Sequence, residues 1–175
     1  MQLFLFFGIK RFSDIAKLKV KDMSFVKDGS LEVLVRRSKT DQVGRGAKFY
    51  LSGKKVGGVC LPEILKWYLK GLGLEGEDMM FPRMRHSKGK VVPIKGLSMS
   101  YGFTAGQLKA EVERLGLNII SLHSGRIGAA TAGAVAGMNK EKLKACGGWS
   151  FNAVDLYVRM DKPDIEFSGK MPQRL

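Results

Sequence analysis

The stretch SLHSGRIGAATAGAVAG, Ser121 to Gly137, constrains the fold more than any other part of the chain. Twelve of its seventeen residues are Ala, Gly, Ser or Thr, so a helix over His123 to Ala136 offers little side-chain bulk and its backbone can lie close against neighbours. A histidine and an arginine, His123 and Arg126, stand three apart at its mouth and share one face of it. A helix sunk this deeply holds two polar side chains in fixed positions. What they address has to be sought elsewhere in the sequence.

Around this segment, patterning predicts a mainly α, α+β domain over residues 1–160 with one small antiparallel sheet, and a patternless tail from Asp161 to Leu175. Met1 to about Leu18 carries an apolar stripe of Leu5, Ile9, Phe12, Ile15 and Ala16 and reads as one helix ending near Lys17. Three β-prone runs follow, Met23 to Val26, Leu31 to Arg37 and Ala47 to Leu51. The KDGS turn at Lys27 to Ser30 pairs the first two, and the longer basic SKTDQVGRG, Ser38 to Gly46, projects as a mobile loop. A helix opens at Pro62 and ends at Gly71 and Gly73. Gly76 to Gly96 shows no steady period, and its charge-rich RMRHSKGK reads as a loop. Further helices fit Thr104 to Leu115, Lys140 to Ala145 and Phe151 to Met160.

With 30 Lys and Arg against 16 Asp and Glu, the 175 residues carry a formal charge of +14, which points to a polyanionic partner. No basic amphipathic helix or polybasic tail points to a membrane surface. Cys60 and Cys146 belong to no CxxC pair and read as reduced thiols of a cytosolic or nuclear protein. With His86 and His123 the only histidines, a histidine-rich metal centre is excluded, and Walker, HExxH and GxSxG motifs are absent. The apolar opening MQLFLFFG is too short to span a bilayer and lacks the leader and cleavage site of a signal peptide. It reads as the interior of a helix, which predicts more chain upstream.

What remains for chemistry is a set of scattered residues: Arg11, Lys39, His123, Arg126, Trp149 and Tyr157. Singly, each has an ordinary structural explanation. Arg11 can be a solvated helix residue beside Asp14, Lys39 a loop lysine, His123 a cap, Arg126 the partner of a carboxylate, and Trp149 and Tyr157 core aromatics. Their order and spacing say more. RFSDIAKLKVKDM (Arg11 to Met23), RRSKTDQVGRG (Arg36 to Gly46), LHSGRIGAAT (Leu122 to Thr131) and GGWSFNAVDLYVR (Gly147 to Arg159) follow one another along the chain. In that order they resemble the first arginine box, the β-hairpin lysine segment, the H-x-x-R box and the final tyrosine block of the tyrosine recombinases, the phage integrase family. The resemblance covers nearly the whole chain.

It implies a helical catalytic domain with a small three-stranded antiparallel sheet, acting on double-stranded DNA as a site-specific recombinase or integrase of a mobile element, with no cofactor and no metal ion. Cleaving a phosphodiester without a metal needs donors for its two non-bridging oxygens, and guanidinium forks, which keep their protons, suit that task. Arg11 and Arg126 are the candidates. The resemblance further implies Tyr157 as nucleophile, His123 as the base that takes its proton, and Lys39 as the acid that protonates the departing 5′ oxygen. Trp149 would be a lesser donor or a buttress, and Asp14 structural support. Arg36, Arg37, Lys48, Arg83, Arg85 and Lys88 are expected to neutralise backbone phosphates.

The family's full-length members add an N-terminal DNA-clamping domain, implied to be missing here, and work as homotetramers on DNA. Their segment beyond the tyrosine packs on a neighbouring subunit, a place that falls to Asp161 to Leu175. Where the family often has Gly-x-Arg, this chain inserts Lys10 and reads Gly8, Ile9, Lys10, Arg11. The expected location is the cytoplasm or nucleoid, or the nucleus for a eukaryotic element. Type IB topoisomerases use the same active-site plan, although they usually carry a lysine in place of the histidine. A degenerate remnant that binds DNA without cleaving it is the other alternative.

Overall fold

The first helix is interrupted where the apolar stripe runs straight through. In the computed structural model, which describes residues 1–38, 46–118, 120–149 and 151–159, helix α1 (Gln2–Phe7) stops at Gly8 and α2 (Phe12–Ile15) begins only after Arg11. A Cβ at position 8 would stand 2.8 Å from the Phe4 carbonyl oxygen and 3.1 Å from the Phe49 ring, so the chain can pass there only as glycine. Ile9 then takes a left-handed φ of 51°, uncommon for a β-branched residue. The break turns Lys10 inward, where it is buried, and leaves Arg11 half-buried at the start of α2.

The sheet follows the sequence expectation. Strands β1 (Met23–Phe25), β2 (Leu31–Val35) and β3 (Ala47–Leu51) pair antiparallel in that order, with Val33 opposite both Met23 and Phe49. Asp28 Oδ1 accepts the Ser30 N–H at 2.9 Å and closes the KDGS turn. Alternation buries Leu31, Val33 and Val35 on one face of β2, against Phe4, Ile15, Phe49 and Leu51. Helix α3 (Leu61–Leu72) has Pro62 in its first turn, ends at Gly73 in the left-handed conformation (φ 62°), and adds Leu65 and Leu69 to the same core.

RMRHSKGK, Arg83 to Lys90, expected as a loop, belongs instead to a second hairpin, β4 (Pro82–Ser87) paired with β5 (Lys90–Ser98). Lys88 and Gly89, with φ of 48° and 73°, form the two-residue turn, a geometry that matches strand twist. Helix α4 (Tyr101–Arg114) is capped by Ser100, which accepts the Phe103 N–H at 3.3 Å. Helix α5 (Leu122–Val135) starts at Ser121, whose Oγ accepts the Ser124 N–H while Ser124 Oγ accepts the Ser121 N–H. Helix α6 (Lys140–Gly147) is capped by Asn139 and stops at Gly148, φ 62°. The last expected helix is instead a 3₁₀ segment, Phe151–Leu156.

A second, smaller core gathers Ile9, Ala129, Ala130, Leu143, Trp149 and Val154. The small residues of α5 let it pack against α1 and α6, and this cluster is the floor on which the candidate site rests. No helix of the described residues is long and apolar enough to cross a membrane.

Candidate active site

Tyr157 follows the 3₁₀ segment, and its backbone is fixed from α5. Thr131 Oγ1 donates to the Tyr157 carbonyl oxygen at 3.3 Å and accepts the Arg159 N–H at 3.1 Å. The phenol ring lies with its centroid 4.7 Å from that of Trp149 and 5.3 Å from that of His123, the latter edge-on. The Arg126 guanidinium sits 4.3 Å from the Trp149 ring and 5.2 Å from the Tyr157 ring. Residues 31 positions apart in sequence, Arg126 and Tyr157, thus share one stack with Trp149 between them in the chain.

Arg126 is wholly buried, at 0% exposure. Its two terminal nitrogens donate to the main-chain carbonyls of Ile9 (2.8 Å) and Gly147 (2.7 Å), tying the α1–α2 junction to the end of α6. Burial, then the nearby Arg11 charge, pushes its pKa down to about 10, against the opposing pull of the Tyr157 phenol and Asp14. Its Nε, the indole Nε1 of Trp149 and Asp14 Oδ1 are buried with no hydrogen-bond partner among the described residues. The Trp149 ring closes over Gly147: a Cβ there would lie 2.2 Å from the indole.

Arg11 stands close enough to Arg126 and His123 for its charge to lower the pKa of both. Its backbone N–H donates to Asp14 Oδ2 at 3.1 Å, which anchors the first turn of α2 to the buried acid. Its own side chain makes no hydrogen bond or ion pair among the described residues, and with His123 and Tyr101 it lines a cavity of about 250 Å³. His123 is exposed on the first turn of α5. Partial burial and the positive charges of Arg126 and Arg11 hold its pKa below the ordinary 6.5, so the ring is neutral at neutral pH and free to accept a proton.

The structure therefore brings Arg11, His123, Arg126, Trp149 and Tyr157 together, with Asp14 beneath Arg11. Lys39 lies outside the described residues, as does the tail from Asp161 to Leu175. The six residues expected at DNA phosphates divide. Arg36 Nε donates to Asp22 Oδ1 at 2.6 Å, and Lys48 Nζ to Glu32 Oε1 at 2.9 Å, a bond that raises the Lys48 pKa. Arg37, Arg83, Arg85 and Lys88 are exposed and form no ion pair among the described residues; the last three stand on the β4–β5 hairpin. Sequence reasoning missed Thr131, which looks like any other small residue of its helix, and Gly147, whose need shows only once Trp149 covers it. No group of three His, Cys, Asp or Glu side chains among the described residues is placed to hold a metal ion.

No protein-family model matches the sequence, and no curated protein matches it. Solved structures do. The chain is similar to the XerH site-specific recombinase bound to its palindromic difH substrate in a post-cleavage complex, at 17% identity and a TM-score of 0.67, over 99% of this chain and 44% of that one. It is similar to the XerA recombinase at 15% identity and a TM-score of 0.68, over 98% of this chain and 55% of that one. A third likeness is to the Tn1549 transposon integrase in complex with transposon right-end DNA, at 15% identity and a TM-score of 0.58, over 95% of this chain and 56% of that one. The fold is that of the tyrosine recombinase catalytic domain, mixed α and β with a three-stranded antiparallel sheet as the sequence led us to expect. The chain spans about half the length of these proteins or less.

Proposed function

We propose that this chain is the catalytic domain of a tyrosine-type site-specific DNA recombinase, which cuts and rejoins strands through a 3′-phosphotyrosyl intermediate. One observation carries the reading: the Tyr157 phenol lies over the Arg126 guanidinium and edge-on to a His123 whose pKa is held down. A nucleophile, a phosphate-charge stabiliser and a neutral base thus stand within one side chain of each other.

In this reading Tyr157 Oη attacks the scissile phosphorus and gives its proton to His123. The new bond joins Tyr157 Oη to phosphorus, the bond from phosphorus to the 5′ oxygen breaks, and that oxygen takes a proton from Lys39. Arg11 and Arg126 stabilise the negative charge on the non-bridging oxygens. Trp149 backs the Tyr157 ring, and Asp14 holds Arg11. The phosphotyrosyl bond conserves the energy of the bond it replaces, so a 5′ hydroxyl can reverse the step: its own strand restores the DNA, and another strand recombines it. No step passes through a metal ion. Residues 1–160 form the catalytic unit, Asp161 to Leu175 contact a neighbouring subunit, and the working form is a homotetramer on double-stranded DNA in the cytoplasm or nucleoid, or in the nucleus of a eukaryotic host.

The enclosure of Arg126 supports a second reading, DNA binding without cleavage, because both its terminal nitrogens are already held by carbonyls. Incubation with a nicked suicide DNA in EDTA separates the two. A covalent adduct that disappears in Tyr157→Phe is the expected result, and no adduct under any salt or pH condition would leave only binding. Strand exchange between two site-bearing duplexes then distinguishes a recombinase from a type IB topoisomerase, which only relaxes supercoils.

A further inference from the structure

One cation beside the site has no part in the scheme above. Lys10 is only 8% exposed. Its ammonium donates to the Cys146 carbonyl at 2.7 Å and lies 4.8 Å from the centroid of the Phe49 ring. It forms no ion pair among the described residues. With Arg11, Asp14, Gly147 and Gly148 it lines a cavity of about 130 Å³ that reaches Ser38, at the foot of the β2–β3 hairpin.

Burying an ammonium without a bound carboxylate costs free energy, and here burial first, then Arg126, lowers the Lys10 pKa. The buried acid of this region, Asp14, uses one oxygen on the Arg11 N–H, and its other oxygen has no partner among the described residues. Among the described residues, three cations, Lys10, Arg11 and Arg126, therefore share one carboxylate in a largely enclosed space. A phosphodiester brings one negative charge to such a space, and its transition state brings a second. The surplus of positive charge has the sign and size to meet it.

We infer that Lys10 is a positioning residue of the site, its ammonium fixed at the Cys146 carbonyl so that its charge adds to those of Arg11 and Arg126 as negative charge builds on the phosphate. The role is one of field, exerted from the floor of the site, and it rests on the phosphodiester reading proposed above. A buried charge acts in a medium of low dielectric, where it counts for more than a surface charge.

The test compares Lys10→Met and Lys10→Arg with the unaltered protein for the rate of adduct formation on suicide DNA. Affinity for intact DNA is measured alongside, with Tyr157→Phe also present. Lys10→Met should slow adduct formation roughly tenfold to a hundredfold with DNA affinity unchanged, and Lys10→Arg should recover most of the rate, as expected for loss of one preorganised charge. Equal slowing by Lys10→Met and Lys10→Arg would mean that shape matters and charge does not, which overturns the inference. So would a Lys10→Met protein that reacts at the original rate. If Lys10→Met fails to fold, Lys10→Gln, which keeps a donor for the Cys146 carbonyl and removes the charge, takes its place under the same criteria. Absence of any adduct with the unaltered protein overturns the phosphodiester reading and this inference with it, whereas an adduct indifferent to residue 10 overturns this inference alone.

Discussion

Two groups of cations in this molecule are held in opposite ways. At the sheet surface, Arg36 and Lys48 meet carboxylates, Asp22 and Glu32. On the floor of the site, Arg126 and Lys10 meet main-chain carbonyls, those of Ile9, Gly147 and Cys146. A carboxylate cancels the charge that it binds, whereas a carbonyl dipole fixes a cation in place and leaves its charge standing. Under the proposed reading, the partners of these four cations, and not their exposure alone, decide which charge is left standing for a phosphate.

The comparison breaks most visibly at Arg126. Arg126→Met leaves the Ile9 and Gly147 carbonyls without donors and removes the cation beneath two aromatic rings. We expect a loss of about 2–5 kcal/mol in urea unfolding, on the scale of breaking a buried charged network, together with loss of adduct formation. A loss under about 1 kcal/mol would mean that the carbonyl contacts do not hold the two segments together.

Gly147→Ala tests the same floor with less force. The new methyl group must displace the Trp149 ring, against which Tyr157 is stacked, at a cost of about 1–3 kcal/mol for overpacking. Trp fluorescence should shift and adduct formation should fall. An unchanged emission spectrum would mean that the indole does not rest on Gly147.

The electrostatic half of the comparison is read at His123. Its folded pKa lies below the ordinary 6.5, so protonation opposes folding: the contribution is intact above 6.5 and is lost as pH falls through the folded value. Adduct formation should stay flat across neutral pH and decline only on the acid side of 6.5. Arg11→Gln removes one of the positive charges that lower this pKa, so an NMR titration of the imidazole should move to higher pH. A titration that stays in place would uncouple Arg11 from His123.

The unequal legibility of the sequence has the same physical origin. The first hairpin could be read because its turn, KDGS, is joined to a β2 whose alternate residues are apolar and buried on one face. The second could not: β4 buries Pro82 and half-buries Met84, but the alternation stops there, Arg83, Arg85 and His86 being exposed, and only Lys88–Gly89 marks the turn. The interruption after α1 depends on how tightly Gly8 meets Phe49, which no local propensity records. At the site, spacing could pair His123 with Arg126, since one helical turn sets their relation. It could not foresee that Lys10 would reach a carbonyl 136 residues away, because a lysine's destination is decided by tertiary packing.

The smallest effects belong to the surface, and they probe the comparison from its other side. Replacing Arg83 or Arg85 by Gln should reduce the slope of log affinity for DNA against log salt by about 1 each, since neither cation is tied to a carboxylate among the described residues. Lys48→Gln should change the slope much less, because DNA would first have to draw Lys48 away from Glu32. Measured over a salt series with intact duplex, equal changes at Lys48 and Arg85 would break the distinction. They would mean that an exposed ion pair yields its cation to a phosphate at almost no cost, as weak surface pairs can. The separation between neutralised and standing charge would then hold only where burial enforces it, at Lys10 and Arg126.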